Sequence, residues 1–347
     1  MAEPVMALDN LVRQFDTRRG KITAVDHVSL AMNKGDILCL VGESGSGKTT
    51  VARMAAGLLK PTSGSIRFEG KDLHGMSKSE FKEYRKSVQI VHQDPYASLN
   101  PVHTVGDTLC APLLHHSLAK GHREATKRAS ELLELVDLRP VENFINKFPH
   151  QLSGGQRQRV SIARAMALNP RVIIADEAVS MVDVSIRVSL LNTLLKLRNE
   201  LGVTFLFITH DLAVVKYFAW EGRVGVMYVG KLIEYGRTPE LITRSLHPYT
   251  RALAAAIPEA DPDLTRSKEK LQLRSLDIPN LASLPSGCVF HPRCPYWEQG
   301  LCDTKIPPLV DIGQGREVAC HLVVRDIQRG GTGRDLEFHS ASTAAAD

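Results

Sequence analysis

At 347 residues, 43 % of them apolar, the chain has material for one large domain or two and for a sizeable core. Its 43 basic and 38 acidic residues leave a formal charge of +5, too mild to argue for a nucleic-acid partner. Met1 to Asn10 lacks the basic-then-apolar order of a signal peptide, and no stretch approaches the roughly 18 apolar residues of a membrane span, so the expectation is a soluble protein that reaches a membrane only through a partner.

Val5 to Leu30 reads as short strands around a polar turn at Asp16 to Lys21. Phe15 is either a core residue or a platform on which a nucleotide base stacks. Ile37 to Val41 is an apolar run of strand length, and Thr50 to Leu59 has the composition of a helix. Between them Gly42-Glu43-Ser44-Gly45-Ser46-Gly47-Lys48-Thr49 fits the pattern G-x-x-x-x-G-K-[ST]. A strand that turns tightly into a helix aims several N–H groups, and the positive end of the helix dipole, at one point. The glycines admit a phosphate close to the backbone. Lys48 then reaches the terminal phosphates and the Thr49 hydroxyl is placed to ligate Mg²⁺, so the candidate ATP site runs from Gly42 to Thr50.

Pro61 to Gly64 is a turn, Ser65 to Glu69 alternates as a strand, and Lys78 to Lys86 suits a surface helix. Val88 to Val91 is a further strand leading to Gln93, a residue placed to touch Mg²⁺ or water but uninformative alone. A loop at 94–101 and helical spacing over Arg123 to Val136 predict a mainly helical insertion from about 94 to 150. Leu152-Ser153-Gly154-Gly155-Gln156 precedes a helical stretch, Gln158 to Leu168. Ser153 is its expected N-cap, which makes either a second anion site or an ordinary capped helix. Arg171 to Ala175 is a buried strand ending in Asp176-Glu177, and Phe205 to Thr209 is another ending in His210. Beside a phosphate loop, the first carboxylate suits Mg²⁺ and the second suits the orientation or deprotonation of water.

Together these motifs resemble the nucleotide-binding subunits of ABC transporters over roughly residues 5 to 257. On that resemblance Gly42 to Thr49 is the Walker A loop, Gln93 the Q-loop glutamine and Ser153 to Gln156 the core of the signature. Asp176 and Glu177 end Walker B, Asp183 lies in the D-loop, His210 is the switch histidine and Phe15 the A-loop aromatic. Gln93-Asp94-Pro95, Ser98-Leu99-Asn100-Pro101 and His247-Pro248-Tyr249-Thr250-Arg251-Ala252-Leu253 narrow it to oligopeptide/dipeptide importers. The resemblance implies an ATPase at the cytoplasmic face of the membrane, with Glu177, His210 and Gln93 catalytic and Mg²⁺ held through Thr49, Gln93 and Asp176. It also implies two membrane permease subunits, a second ATP-binding subunit whose ATP the signature clamps, an extracytoplasmic binding protein, and no nucleic acid. Relatives of the same architecture carry nickel chelates or oligosaccharides. Soluble ABC-type ATPases of DNA repair or translation usually have two nucleotide domains or a long coiled coil, and this chain has one phosphate loop and no sustained heptads. It departs from the family pattern where Ala178-Val179 replaces Pro-Thr and Met181-Val182 replaces Ala-Leu; Asp176, Glu177 and Asp183 are kept.

Beyond residue 257 the composition shifts to a charged linker, Asp261 to Lys270, and then to Cys288, Cys294, Cys302 and Cys320 at spacings of x₅, x₇ and x₁₇. Four thiolates close a Zn²⁺ site or hold an iron–sulfur cluster, and unmetallated thiols are the third reading. His291 and His321 lie near enough in sequence to substitute as ligands. The cluster resembles the C-terminal extension of oligopeptide-importer ATPases, which implies 4Fe–4S. The expected fold is therefore α/β, a P-loop ABC ATPase at 5–257 with a β-rich N-terminal part and a helical insertion. A small cysteine-rich domain at 258–329 and a disordered tail at 330–347 complete it.

Overall fold

The computed structural model describes residues 3–17, 20–257 and 271–334. The predicted linker and most of the predicted tail lie outside the described residues.

Strands and helices alternate through the chain. In order they are β1 (Met6–Thr17), β2 (Gly20–Met32), β3 (Ile37–Val41), α1 (Lys48–Ala55), β4 (Ser63–Phe68), β5 (Lys71–Asp72), α2 (Lys78–Ser87) and β6 (Val88–Val91). The insertion contributes α3 (Pro95–Ser98), α4 (Val105–His115) and α5 (His122–Leu135). Then follow α6 (Gly154–Met166), β7 (Val172–Asp176), α7 (Val184–Leu201), β8 (Thr204–Thr209), α8 (Leu212–Phe218), β9 (Arg223–Tyr228), β10 (Lys231–Arg237), α9 (Thr238–Thr243) and α10 (Pro248–Ala255). The C-terminal region adds β11 (Val310–Asp311), β12 (Glu317–Val318) and α11 (His321–Gln328).

The strands form two sheets. One has the order β2-β1-β4-β5 and is antiparallel; the other runs β11-β12-β10-β9-β3-β8-β7-β6. Its central strands are parallel: β3 pairs with β8 and β9, and β7 with β6 and β8. They read as unbroken apolar runs because both faces are buried. Leu38 and Leu40 of β3, Ile174 of β7 and Leu206 and Ile208 of β8 face α1 and the antiparallel sheet. Cys39, Val41, Ile173, Ala175, Phe205 and Phe207, one residue out of phase, face a second core shared with α4 to α7. Each fully buried Leu or Ile contributes about 1.5–3 kcal/mol. The same layers fix where the parallel strands end, and those ends carry the site.

Of three expectations, two change. The N-terminal strands are long, 12 and 13 residues, because bulges between Leu8 and Gln14 let the pair bend without ending. The signature helix begins at Gly154, directly behind the N-cap expected at Ser153, which forms a reciprocal capping box with Gln156. The C-terminal region does not stand apart from the ATPase. β12 pairs with β10, Glu234 opposite Val318 and Tyr235 opposite Glu317, and so extends the main sheet. Phe290, Cys294, Tyr296, Cys302 and Cys320 belong to the same buried cluster as Tyr228 and Tyr249. The composition shift near residue 258 marks a change in chain chemistry, not an edge of the core.

Candidate functional site

The phosphate loop leaves β3 with Gly42 at φ 151° and returns at Gly47, φ 99°, the residue before α1. A Cβ on Gly42 would lie 2.1 Å from the Met227 carbonyl oxygen, and one on Gly47 would lie 2.3 Å from that of Ala24. Both contacts are with backbone, so only glycine fits at either end of the loop. Lys48 is folded into it. Its Nζ donates to the carbonyls of Gly42 (2.7 Å) and Glu43 (2.8 Å) and to Ser46 Oγ (3.1 Å). Burial lowers the Lys48 pKa, outweighing the pull of Glu177, Asp176 and Glu43. Arriving phosphate oxygens would replace neutral carbonyls with anions as the partners of that ammonium.

Asp176 and Glu177 follow from the end of β7. Thr49 Oγ1 donates to Asp176 Oδ1 at 3.1 Å, across 127 residues of chain. Burial raises the Asp176 pKa, Glu177 adds to the rise, and the Thr49 hydrogen bond opposes it. A hydroxyl and a carboxylate side by side, all oxygen donors, fit a hard divalent cation such as Mg²⁺. Glu177 sits at φ 49°, a left-handed conformation costly for a residue with a Cβ. Its N–H is held by the Ile208 carbonyl at 3.0 Å, and its own carbonyl accepts from Ser180 N (3.1 Å) and Ser180 Oγ (2.9 Å). That turn points the carboxylate at two other predicted residues. Gln93 Nε2 donates to Glu177 Oε2 at 3.3 Å, and His210 Nδ1 lies 3.3 Å from the same oxygen. Gln93 reaches it from the loop two residues beyond β6, and His210 from the end of β8.

The other predicted residues lie away from this cluster. Ser153 Oγ accepts from the Gln156 N–H at 3.3 Å and Gln156 Oε1 accepts from Ser153 N–H at 3.0 Å, so the capping box occupies both groups. Ser153 is exposed, Gly154 has open space where a Cβ would stand, and Gly155 packs on Ile186. Asp183 is exposed and precedes α7 without capping it through its side chain. Phe15 lies near the tip of β1, 36 % exposed, with the Arg13 guanidinium 4.6 Å from its ring centre. An exposed ring there is not a core residue.

Cys288, Cys294, Cys302 and Cys320 line one small cavity with Phe290, His291, His321 and Leu322. Burial pushes Cys288 up to about 11 and Cys320 up to about 12, and raises Cys294 and Cys302. Backbone N–H groups oppose this at every sulfur: Phe290 and His291 at Cys288, Tyr296 at Cys294, Glu298 at Cys302, Val323 and Leu322 at Cys320. The Glu298 N–H to Cys302 Sγ distance is 3.4 Å. Among the described residues no set of three or more His, Cys, Asp or Glu closes on a single metal ion. His291 Nδ1 is 2.9 Å from the Cys288 carbonyl, and His321 Nε2 is 3.0 Å from that of Lys305.

Three contacts of the site went unread in the sequence. Glu43 N–H donates to Tyr249 Oη at 2.8 Å, the Glu43 carboxylate pairs with Arg293, and Gln158 Nε2 donates to the His92 carbonyl at 3.3 Å. Only the last could have been guessed, from a buried glutamine inside an apolar helix face.

Residues 25–180 match the family described as ABC transporter, and residues 233–302 match that described as oligopeptide/dipeptide transporter, C-terminal region. The oligopeptide transport ATP-binding protein AppF of Bacillus subtilis is 43 % identical over 309 residues, 89 % of this chain and 92 % of its own. YkfD of the same organism, also named for oligopeptide transport, is 42 % identical over 320 residues, 92 % of this chain and 95 % of its own. Among solved structures, the dimeric post-hydrolysis state of the ATP-binding cassette MJ0796 with ADP and Pi is 31 % identical. Its TM-score is 0.60, and the match spans 67 % of this chain and 98 % of that one.

Proposed function

The chain belongs to the ATP-binding proteins of ABC transporters of the oligopeptide/dipeptide type, and from that premise we propose that it drives peptide import through separate membrane subunits. It is an ATPase subunit. The observation that carries the reading is the convergence of Gln93 and His210 on one carboxylate oxygen of Glu177, at the strand ends beside the Lys48 loop.

In the proposed mechanism, ATP binds with its phosphates against the loop from Gly42 to Thr50, and Lys48 exchanges the Gly42 and Glu43 carbonyls for phosphate oxygens. Thr49 and Asp176, with Gln93, would hold Mg²⁺, which would supply positive charge to offset that of the phosphates. Phe15 stacks on the base. Glu177 orients the attacking water, and His210 contacts the γ-phosphate. Ser153 to Gln156 of a second ATP-binding subunit, by its exposed helix start, clamps the same nucleotide, and Asp183 lies on that contact. Among the described residues no helix is long and apolar enough to cross a membrane. The proposed seat is on the cytoplasmic face of permease subunits.

The test is affinity purification of the chain from its native membrane, followed by identification of what accompanies it. Two membrane subunits and an extracytoplasmic binding protein that retains peptides are expected. Recovery of ribosomal or nucleic-acid partners alone would end the importer reading.

We further propose that Cys288, Cys294, Cys302 and Cys320 hold a 4Fe–4S cluster, with Zn²⁺ as the alternative. Four thiols facing one cavity, each accepting N–H hydrogen bonds, supply the donor chemistry of such a cluster. Anaerobic purification should give a brown protein with matched iron and labile sulfide; a colourless protein with stoichiometric zinc would overturn this.

A further inference from the structure

Arg293 stands in the short segment between Cys288 and Cys294, yet its side chain ends in the phosphate loop, 250 residues earlier in the chain. The guanidinium meets the Glu43 carboxylate as a fork, Nη1 to Oε2 at 2.7 Å and Nη2 to Oε1 at 3.0 Å. Nη1 is also 3.3 Å from Tyr228 Oη, and the rings of Tyr228 and Phe290 flank the group at 5.7 and 5.8 Å. The Arg293 side chain is 5 % exposed and that of Glu43 is 26 % exposed. Every polar part of Glu43 is therefore engaged: its N–H by Tyr249, its carbonyl by Lys48, its carboxylate by Arg293.

We propose that Arg293 is a positioning residue of the nucleotide site, by which the C-terminal cysteine region sets the affinity for ATP. This rests on the reading of the loop at 42–50 as the ATP site. Glu43 places a negative charge in a loop that must accept a polyphosphate. Unpaired, that carboxylate would repel the phosphates and compete for Lys48. Arg293 neutralises it from the C-terminal region, and two parallel hydrogen bonds fix its direction as a lysine's single point charge does not. Removing one partner of a buried pair leaves an uncompensated charge, so the loss falls on whatever the remaining charge opposes. Attachment alone does not require this pair. The C-terminal region is already joined to the sheet through β12 and to the shared core through Phe290 and Tyr296.

The experiment measures binding of a fluorescent ATP analogue to the purified full chain and its variants. Arg293→Met should raise the Kd about tenfold, within the usual range of coupling between sites. Arg293→Lys should recover part of the loss. The double variant Glu43→Gln/Arg293→Met should return to within about threefold of the parent, because the charge that Arg293 balances is then absent. Iron content and thermal midpoint are recorded alongside. A purely structural Arg293 would move those, and Glu43→Gln would not repair the affinity. Unchanged binding in Arg293→Met, or a double variant as weak as the single, overturns the proposal. Should Arg293→Met not fold, comparison of the double variant with Glu43→Gln decides, with equal affinities supporting the proposal and a tenfold gap overturning it. A parent chain that does not bind the analogue removes the ATP-site reading itself, and this inference with it.

Discussion

Replacing Glu177 by glutamine is expected to slow ATP turnover by about 10²–10⁴-fold, the usual contribution of a positioned general base, while nucleotide binding persists. The substitution keeps size and shape, so the turn survives. The Glu177 N–H still meets Ile208, and Ser180 still caps the Glu177 carbonyl. What is lost is the negative charge that faces Gln93 and His210. The phosphate loop makes its own contacts through Gly42, Ser46 and Lys48, which are untouched. Steady-state hydrolysis and binding of an ATP analogue, measured on the same preparation, separate the two effects. Undiminished turnover would sink the assignment of Glu177. Despite the departures at Ala178 and Val179, the parent chain is expected to turn over ATP. Both side chains are 3 % exposed, so packing and the two Ser180 hydrogen bonds hold the turn that a proline would otherwise stiffen.

What the sequence carried well was local chemistry on buried parallel strands. Ile37 to Val41, Val172 to Ala175 and Phe205 to Ile208 are apolar on both faces because both faces are covered, and each leads into residues of the site. The glycines were legible because Gly42 and Gly47 meet neighbouring backbone. The helix start at Gly154 follows the expected N-cap at Ser153, since a capping box lets glycines begin a helix that composition alone disfavours. The fusion of the C-terminal region with the ATPase was not legible. Strands β11 and β12 have two residues each, too short for any period. The pairing of Arg293 with Glu43 is a single contact across 250 residues, and nothing in the neighbours of either residue announces it.

Glu234→Ala is expected to lower stability by about 3–5 kcal/mol, the usual cost of removing one partner from a buried, hydrogen-bonded ion pair. Glu234 lies in β10 with none of its surface exposed. Its Oε1 accepts from Leu246 N–H (3.0 Å) and Arg316 Nη2 (2.8 Å), and its Oε2 accepts from His247 N–H (2.9 Å). One carboxylate thus joins a sheet strand, the entry to α10 and the hairpin of β11 and β12. Alanine would leave two backbone donors without an acceptor in a closed space, and would leave Arg316 with the Arg244 carbonyl but no counter-charge. The change should lower the urea midpoint with little change in slope. Adding Arg316→Met should recover part of the loss, because it removes the charge that alanine strands. Nucleotide affinity should fall as well. The helix that starts beside His247 carries Tyr249, whose hydroxyl accepts the Glu43 N–H in the phosphate loop. A Glu234→Ala chain with an unshifted midpoint would mean that the apolar core alone holds the C-terminal region. A shifted midpoint with unchanged ATP affinity would place the break in the hairpin and leave α10 seated. Loss of both would trace one mechanical path from a buried carboxylate in β10, through Tyr249, to the loop that binds phosphate.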